Sequence, residues 1–310
     1  MIIYIASYPR SGNSLMQRTI TTHFERPITA LNPNSKRAEY YANGGEGLIE
    51  NWRCNIRTFN RQGIWQTLLN KLNNKIFKRY NLNEWIALYD LNVPPYSKNC
   101  RYLLPGCKNV LTSKNRQLLA ADCNSHIFIK THEPPFKNYF DGEYVIQPIR
   151  HPGAVIWSYY NLIKTELQHN YKYSKMTLEK VIRGKVGYGS WSNYHQSWSQ
   201  AIPLLNGRLI RIRFEDLIVD RIKACEQISK TIKLGYNPAK KMPSFEELRK
   251  KEPHHFRAGK ATGWEEHYTD EQILLLQKIH GSTMEQLGYR IDNSLLKSAN
   301  ILSKSVLSKL

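Results

Sequence analysis

The chain has 310 residues, 41% hydrophobic and 23% charged, enough for a real core in one large domain. No apolar stretch approaches the roughly 18 residues of a membrane span, and five cysteines without a C-x-x-C pair argue against structural zinc or a disulfide framework. A formal net charge of +20 points to an anionic ligand or surface: nucleic acid, acidic lipid, a polyanionic sugar or a multiply phosphorylated cofactor.

The chain opens directly on a strand-like run, without the features of a signal peptide, so a soluble protein of the reducing cytoplasm is expected. Four short apolar runs follow one another, each ending in chemically capable residues. Ile2–Ala6 runs into "SYPRSGNS" (Ser7–Ser14), and His126–Ile129 ends at Lys130, Thr131 and His132. Tyr144–Ile149 ends at Arg150, His151 and Pro152, and Leu209–Phe214 ends at Glu215, Asp216 and Leu217. Runs this short and apolar predict buried parallel strands with helical connections, hence an α/β sheet. Ligands of such sheets bind beyond the carboxyl ends of the strands, so all four sets of terminal residues should face one crevice.

Helices are expected between them. Ser14–Phe24 follows the loop, and Gly153–Leu167 carries Val155, Ile156, Tyr159, Leu162 and Ile163 at helical spacing. Ser190–Ile202 puts Trp191, Tyr194, His195 and Trp198 on one face, where the three larger rings read as core. Thr269–Leu287 begins with a capping pair, Thr269 and Gln272. From 32 to 125 no clear strand is legible. Its aromatics, interleaved with Arg and Lys, read as a largely helical insertion within a single domain spanning 1–310, capping one side of the site. The basic tail Leu295–Leu310 reads as a packed or frayed terminal helix.

The first loop has the spacing of a phosphate loop with altered residues. Ser7 stands where the first Gly would be, Gly12 is in place, Asn13 occupies the Lys slot, Ser14 fills the Ser/Thr slot, and Arg10 lies inside the loop. A magnesium-dependent triphosphatase would need that Lys and a strand-end carboxylate. The second and third strands instead end in Lys130, His132 and Arg150. The set suits an anion bound without metal: loop N–H groups and the helix N-terminus for one phosphate, Arg150 and Arg257 for a second. His132 is the acid–base candidate, because a neutral imidazole can take a proton from a hydroxyl or amine near pH 7.

Taken together, these elements resemble the sulfotransferases that use 3′-phosphoadenosine-5′-phosphosulfate (PAPS), especially the soluble, cytosolic-type branch. "YPRSGNSL" resembles the 5′-phosphosulfate loop Y-P-K-S-G-T-T-W, with Arg for Lys as in many bacterial members. "IKTH" is similar to the strand carrying the family's catalytic His, and "IRHPGAVIWSYY" to its 3′-phosphate motif. "YGSWSNYHQSW", "RFEDL" and "FRAGKATGWEEHYT" resemble three further family segments in the right order. The resemblance implies a P-loop-like parallel β-sheet flanked by helices, and transfer of the sulfuryl group of PAPS to a hydroxyl or amine of a small-molecule acceptor, with 3′-phosphoadenosine-5′-phosphate (PAP) as product and no metal. It implies His132 as general base, with Arg10 and Lys130 balancing charge in transfer. The 5′-phosphate would be held by Arg10, Ser11, Gly12, Asn13 and Ser14, and the 3′-phosphate by Arg150, Ser158, Arg257 and Gly259. Leu15 replaces the Trp that stacks on adenine, and Phe214 replaces a Tyr, leaving it a packing role. The family's dimerisation motif is not recognisable around Glu265–Leu274, so the oligomeric state stays open.

Two alternatives remain at this point. An acidic carbohydrate or polysaccharide acceptor would suit the charge but lacks an anchor segment. A non-catalytic nucleotide- or nucleic-acid-binding protein would suit the basic, aromatic insertion but leaves the pair Lys130 and His132 unexplained. Neither a specific nucleic acid nor a membrane is an expected partner.

Overall fold

The computed structural model describes residues 1–26, 28–32, 47–50, 88–90, 101–103, 109–111, 116–117, 120–121, 123, 126–167, 173–251 and 262–292. Arg257, Gly259, the tail and most of the insertion, including its aromatics and its expected helices, lie outside these residues.

The strands are β1 (Ile2–Ala6), β2 (Ile28–Asn32), β3 (Gly47–Glu50), β4 (Leu88–Asp90), β5 (Arg101–Leu103), β6 (Asn109–Leu111), β7 (Ile127–Thr131), β8 (Glu143–Ile149) and β9 (Leu209–Arg213). Seven form one sheet in the order β6-β3-β2-β7-β1-β8-β9, while β4 and β5 pair separately. The four expected strands lie side by side and parallel, as β7-β1-β8-β9. β2 extends them in parallel, and β3 and β6 add antiparallel at that edge. The strands within 32–125 depart from the reading of that stretch as strandless. Each is only three or four residues long, too short to display a period of two.

β1 is buried along its whole length because both sheet faces are covered. Ile2, Tyr4 and Ala6 join Val145, Ile149, Trp191, Tyr194 and Trp198 on one side. Ile3 and Ile5 join Met16, Ile20, Phe24 and Ile228 on the other. The three aromatics of Ser190–Ile202 are therefore core, as expected.

The helices are α1 (Asn13–Thr19, continued by a π-helical turn to Phe24), α2 (Pro152–Leu162, continued likewise to Leu167), α3 (Leu178–Ile182), α4 (Trp191–Gln200), α5 (Ile202–Leu205), α6 (Phe214–Val219), α7 (Arg221–Ile232), α8 (Phe245–Lys251) and α9 (Asp270–Gln286). Thr269 and Gln272 form the full capping box that starts α9. Among the described residues no helix is long and apolar enough to cross a membrane.

One feature of the core has no sequence signature. Arg116, at the end of the insertion, makes a bidentate contact with Glu143 at 2.9 and 2.8 Å, both side chains being fully buried. Glu143 also accepts from the Tyr4 hydroxyl at 2.6 Å and from the Phe140 N–H at 2.8 Å, and the guanidinium lies 3.8 Å over the Phe136 ring. Removing one partner strands the other charge, so Arg116→Ala should cost roughly 3–5 kcal/mol in denaturant unfolding. A loss below about 1 kcal/mol, the range of surface pairs, would contradict this.

Three of the buried imidazoles, His151, His195 and His280, should make the fold sensitive to acid. Burial is the main cause that pulls His151 and His280 down to about 4 and His195 to about 3. His280 is held from both ring nitrogens: Nε2 donates to the Ile182 carbonyl at 2.9 Å, and Nδ1 lies 2.7 Å from the Ser192 hydroxyl. A depressed folded-state pKa means that the unfolded chain takes protons first. The stabilisation is complete above pH 6.5, the ordinary imidazole value, and is lost as pH falls toward 4. The urea midpoint should therefore drop steeply between pH 7 and pH 4.5, and His280→Gln should flatten that slope. An unchanged slope in the variant would contradict the assignment.

Candidate anion-binding and catalytic site

The loop between β1 and α1 turns through two left-handed residues, Arg10 at φ 71° and Gly12 at φ 96°. Such a turn makes a concavity of backbone N–H groups. Gly12 is required twice over: its φ disfavours side chains, and a Cβ there would lie 2.5 Å from the Phe214 ring. Arg10 in the left-handed region stores on the order of 1–2 kcal/mol of strain, of the kind found at functional sites.

The side chains of the loop divide the work. Asn13 is buried and donates to Ser7 Oγ at 2.8 Å, bracing the loop from inside, so its backbone N–H is what it can offer a ligand. Ser11 is fully buried, and its hydroxyl has no hydrogen-bond partner among the described residues. Ser14 and Leu15 follow in the first turn of α1, half-buried.

The residues after β8 meet this loop. Arg150 Nη1 donates to the Arg10 carbonyl at 3.4 Å, and Arg10 Nε donates to Ser158 Oγ of α2 at 3.1 Å. The Arg150 guanidinium lies 4.2 Å over the Phe214 ring, the same ring that closes on Gly12. Burial pulls the Arg150 guanidinium down to about 10, with Glu215 acting in the opposite direction, so it stays charged at neutral pH.

The residues after β7 come in from the other side of β1, where Ile5 is in register with Lys130. His132 Nδ1 stands 2.7 Å from the Ser7 carbonyl. A carbonyl only accepts, so Nδ1 carries the proton and the lone pair is on Nε2. The Tyr188 ring meets His132 edge-to-face at 5.5 Å.

Arg10, Ser11, Gly12, Asn13, Ser14, Leu15, Arg150 and Ser158 are thus gathered on one loop and its bonded neighbours, with Lys130 and His132 beside them. Arg257 and Gly259 lie outside the described residues. His195 is fully buried, and neither ring nitrogen has a hydrogen-bond partner among the described residues. Sequence reading missed Tyr188, although it begins the quoted "YGSW". Its loop is tied to the site by the Tyr8 hydroxyl, which donates to the Gly189 carbonyl at 2.8 Å.

A family model described as "Sulfotransferase domain" matches residues 2–288. The fold is similar to that of mouse sulfotransferase SULT7A1 complexed with PAP, at 16% identity and TM-score 0.51, over 92% of this chain and 84% of that one. Retinol dehydratase, solved with androsterone and the inactive cofactor PAP, aligns at 15% identity and TM-score 0.48, over 94% and 83%. A sulfotransferase domain from the curacin biosynthetic pathway aligns at 16% identity and TM-score 0.41, over 94% and 98%. Comparison with curated proteins gives no match.

Proposed function

The chain belongs to the sulfotransferase domain family, and on that premise we propose that it moves the sulfuryl group of PAPS to a hydroxyl or amine of a small-molecule acceptor. The observation that carries the reading is the direct linkage of two cationic anchors at the strand ends. Arg10 bonds Ser158, and Arg150 bonds the Arg10 backbone. A ligand with anionic groups at two separate positions fits that pair better than one with a single phosphate chain.

The residues present suit such a ligand. The buried Ser11 hydroxyl, the Gly12 turn and the first N–H groups of α1 would hold the 5′ end, with Arg10. Arg150 and Ser158 would hold the 3′-phosphate, joined by Arg257 and Gly259. PAPS, when bound, supplies an activated sulfuryl group. Lys130 and Arg10 offer positive charge fixed before reaction, which is worth more than mobile solvent. His132 would keep its Nδ1 proton on Ser7, and Nε2 would take the proton of the acceptor hydroxyl or amine as the new bond to sulfur forms and the bond from sulfur to the bridging phosphate oxygen breaks, releasing PAP. Tyr188 stands beside that imidazole as an acceptor contact, and the 32–125 insertion would close the acceptor side. The pairing of a base with an anion loop also argues against a purely nucleotide- or nucleic-acid-binding role.

The test is transfer of label from sulfur-35 PAPS to a panel of phenols, aliphatic alcohols and amines. Label in one class supports the proposal. PAP binding with no transfer to any class would reduce the protein to a nucleotide binder.

A further inference from the structure

Glu215, at the start of α6, is placed against the segment that carries Arg150. Its Oε1 accepts from the His151 N–H at 3.2 Å, one residue beyond Arg150, and its Oε2 accepts from the Tyr289 hydroxyl at 2.8 Å. Tyr289 is itself held. Its side chain is buried, and the Arg213 guanidinium lies 4.5 Å over its ring while donating to the neighbouring Gly288 carbonyl at 3.3 Å. Phe214 thus covers Arg150 with a ring face, and Glu215, bound to the next residue along, acts on it with a negative charge.

We propose that Glu215, held by Tyr289, is a positioning residue for Arg150: it orients the guanidinium so that the site distinguishes a 3′-phosphorylated nucleotide from one without that phosphate. The inference rests on reading Arg150 as the 3′-phosphate anchor. A half-buried guanidinium on a flexible stem is costly to desolvate and has many rotamers; a fixed carboxylate nearby offsets the first and narrows the second. Each carboxylate oxygen already accepts a bond from a neutral donor. Glu215 thus supplies a field and a fixed backbone at His151, one residue from the guanidinium that the phosphate would meet.

The test is calorimetric titration of PAP and of 5′-AMP into the wild type, Glu215→Ala, Glu215→Gln and Tyr289→Phe, with thermal melts to confirm folding. Glu215→Ala should weaken PAP by about tenfold while 5′-AMP changes by less than about twofold, the scale of a lost charge-assisted contact. Glu215→Gln, which can still accept from His151, should recover part of the preference for PAP, and Tyr289→Phe should lose a smaller part. Equal weakening of both nucleotides, or an unchanged preference, overturns the inference. If Glu215→Ala does not fold, the same two outcomes in Tyr289→Phe decide it. A wild type that binds both nucleotides equally would instead overturn the reading of Arg150 itself.

Discussion

Arg150→Ala is expected to weaken PAP by about 100-fold or more and to leave no preference for PAP over 5′-AMP, since the proposed anchor of the 3′-phosphate would be lost. The guanidinium is half-buried, lies on Phe214 and donates to the Arg10 carbonyl. Its loss therefore removes a charge and a brace of the 5′ loop together. Arg150→Lys separates the two effects: the charge stays and the planar fork goes, so an intermediate loss is expected. Weakening of PAP and 5′-AMP by the same factor would show that Arg150 merely shapes the loop.

His132→Ala carries the second large effect, a fall in turnover of about 100- to 10,000-fold with PAP binding unchanged. The split follows from the geometry. Nδ1 is committed to the Ser7 carbonyl, so in the neutral ring the basic lone pair is on Nε2, while Arg150 and Ser158 meet the loop at Arg10. Residual activity would be highest on acceptors that ionise easily, such as acidic phenols, because they need the least help from a base. A variant with full turnover on aliphatic alcohols would remove His132 from the role of base.

The parts of the fold that repeat locally were readable from the chain. Strand runs bounded by polar residues marked β1, β7, β8 and β9, and their ends proved to share one edge of the sheet. The Thr269 cap could be read because it is written within four residues. What escaped depends on distance along the chain. Arg116 and Glu143 are each ordinary surface-type residues until the fold buries them against one another. Glu215 meets His151 and Tyr289 from 64 and 74 residues away, and Phe214, after β9, meets Gly12, after β1, with only β8 between those strands. Asn13 is expected at the ligand through the loop's backbone N–H groups, and its side chain turns inward to Ser7, a contact that no motif spells out. The strands of the insertion were hidden because three or four residues carry too little pattern.

The most direct measurement is calorimetric titration of PAP, ATP and 5′-AMP into the wild-type protein in the presence of EDTA. PAP should bind tightly without metal, and both nucleotides that lack the 3′-phosphate should bind much more weakly. Equal affinity for all three, or binding of ATP that appears only when magnesium is restored, would contradict this expectation.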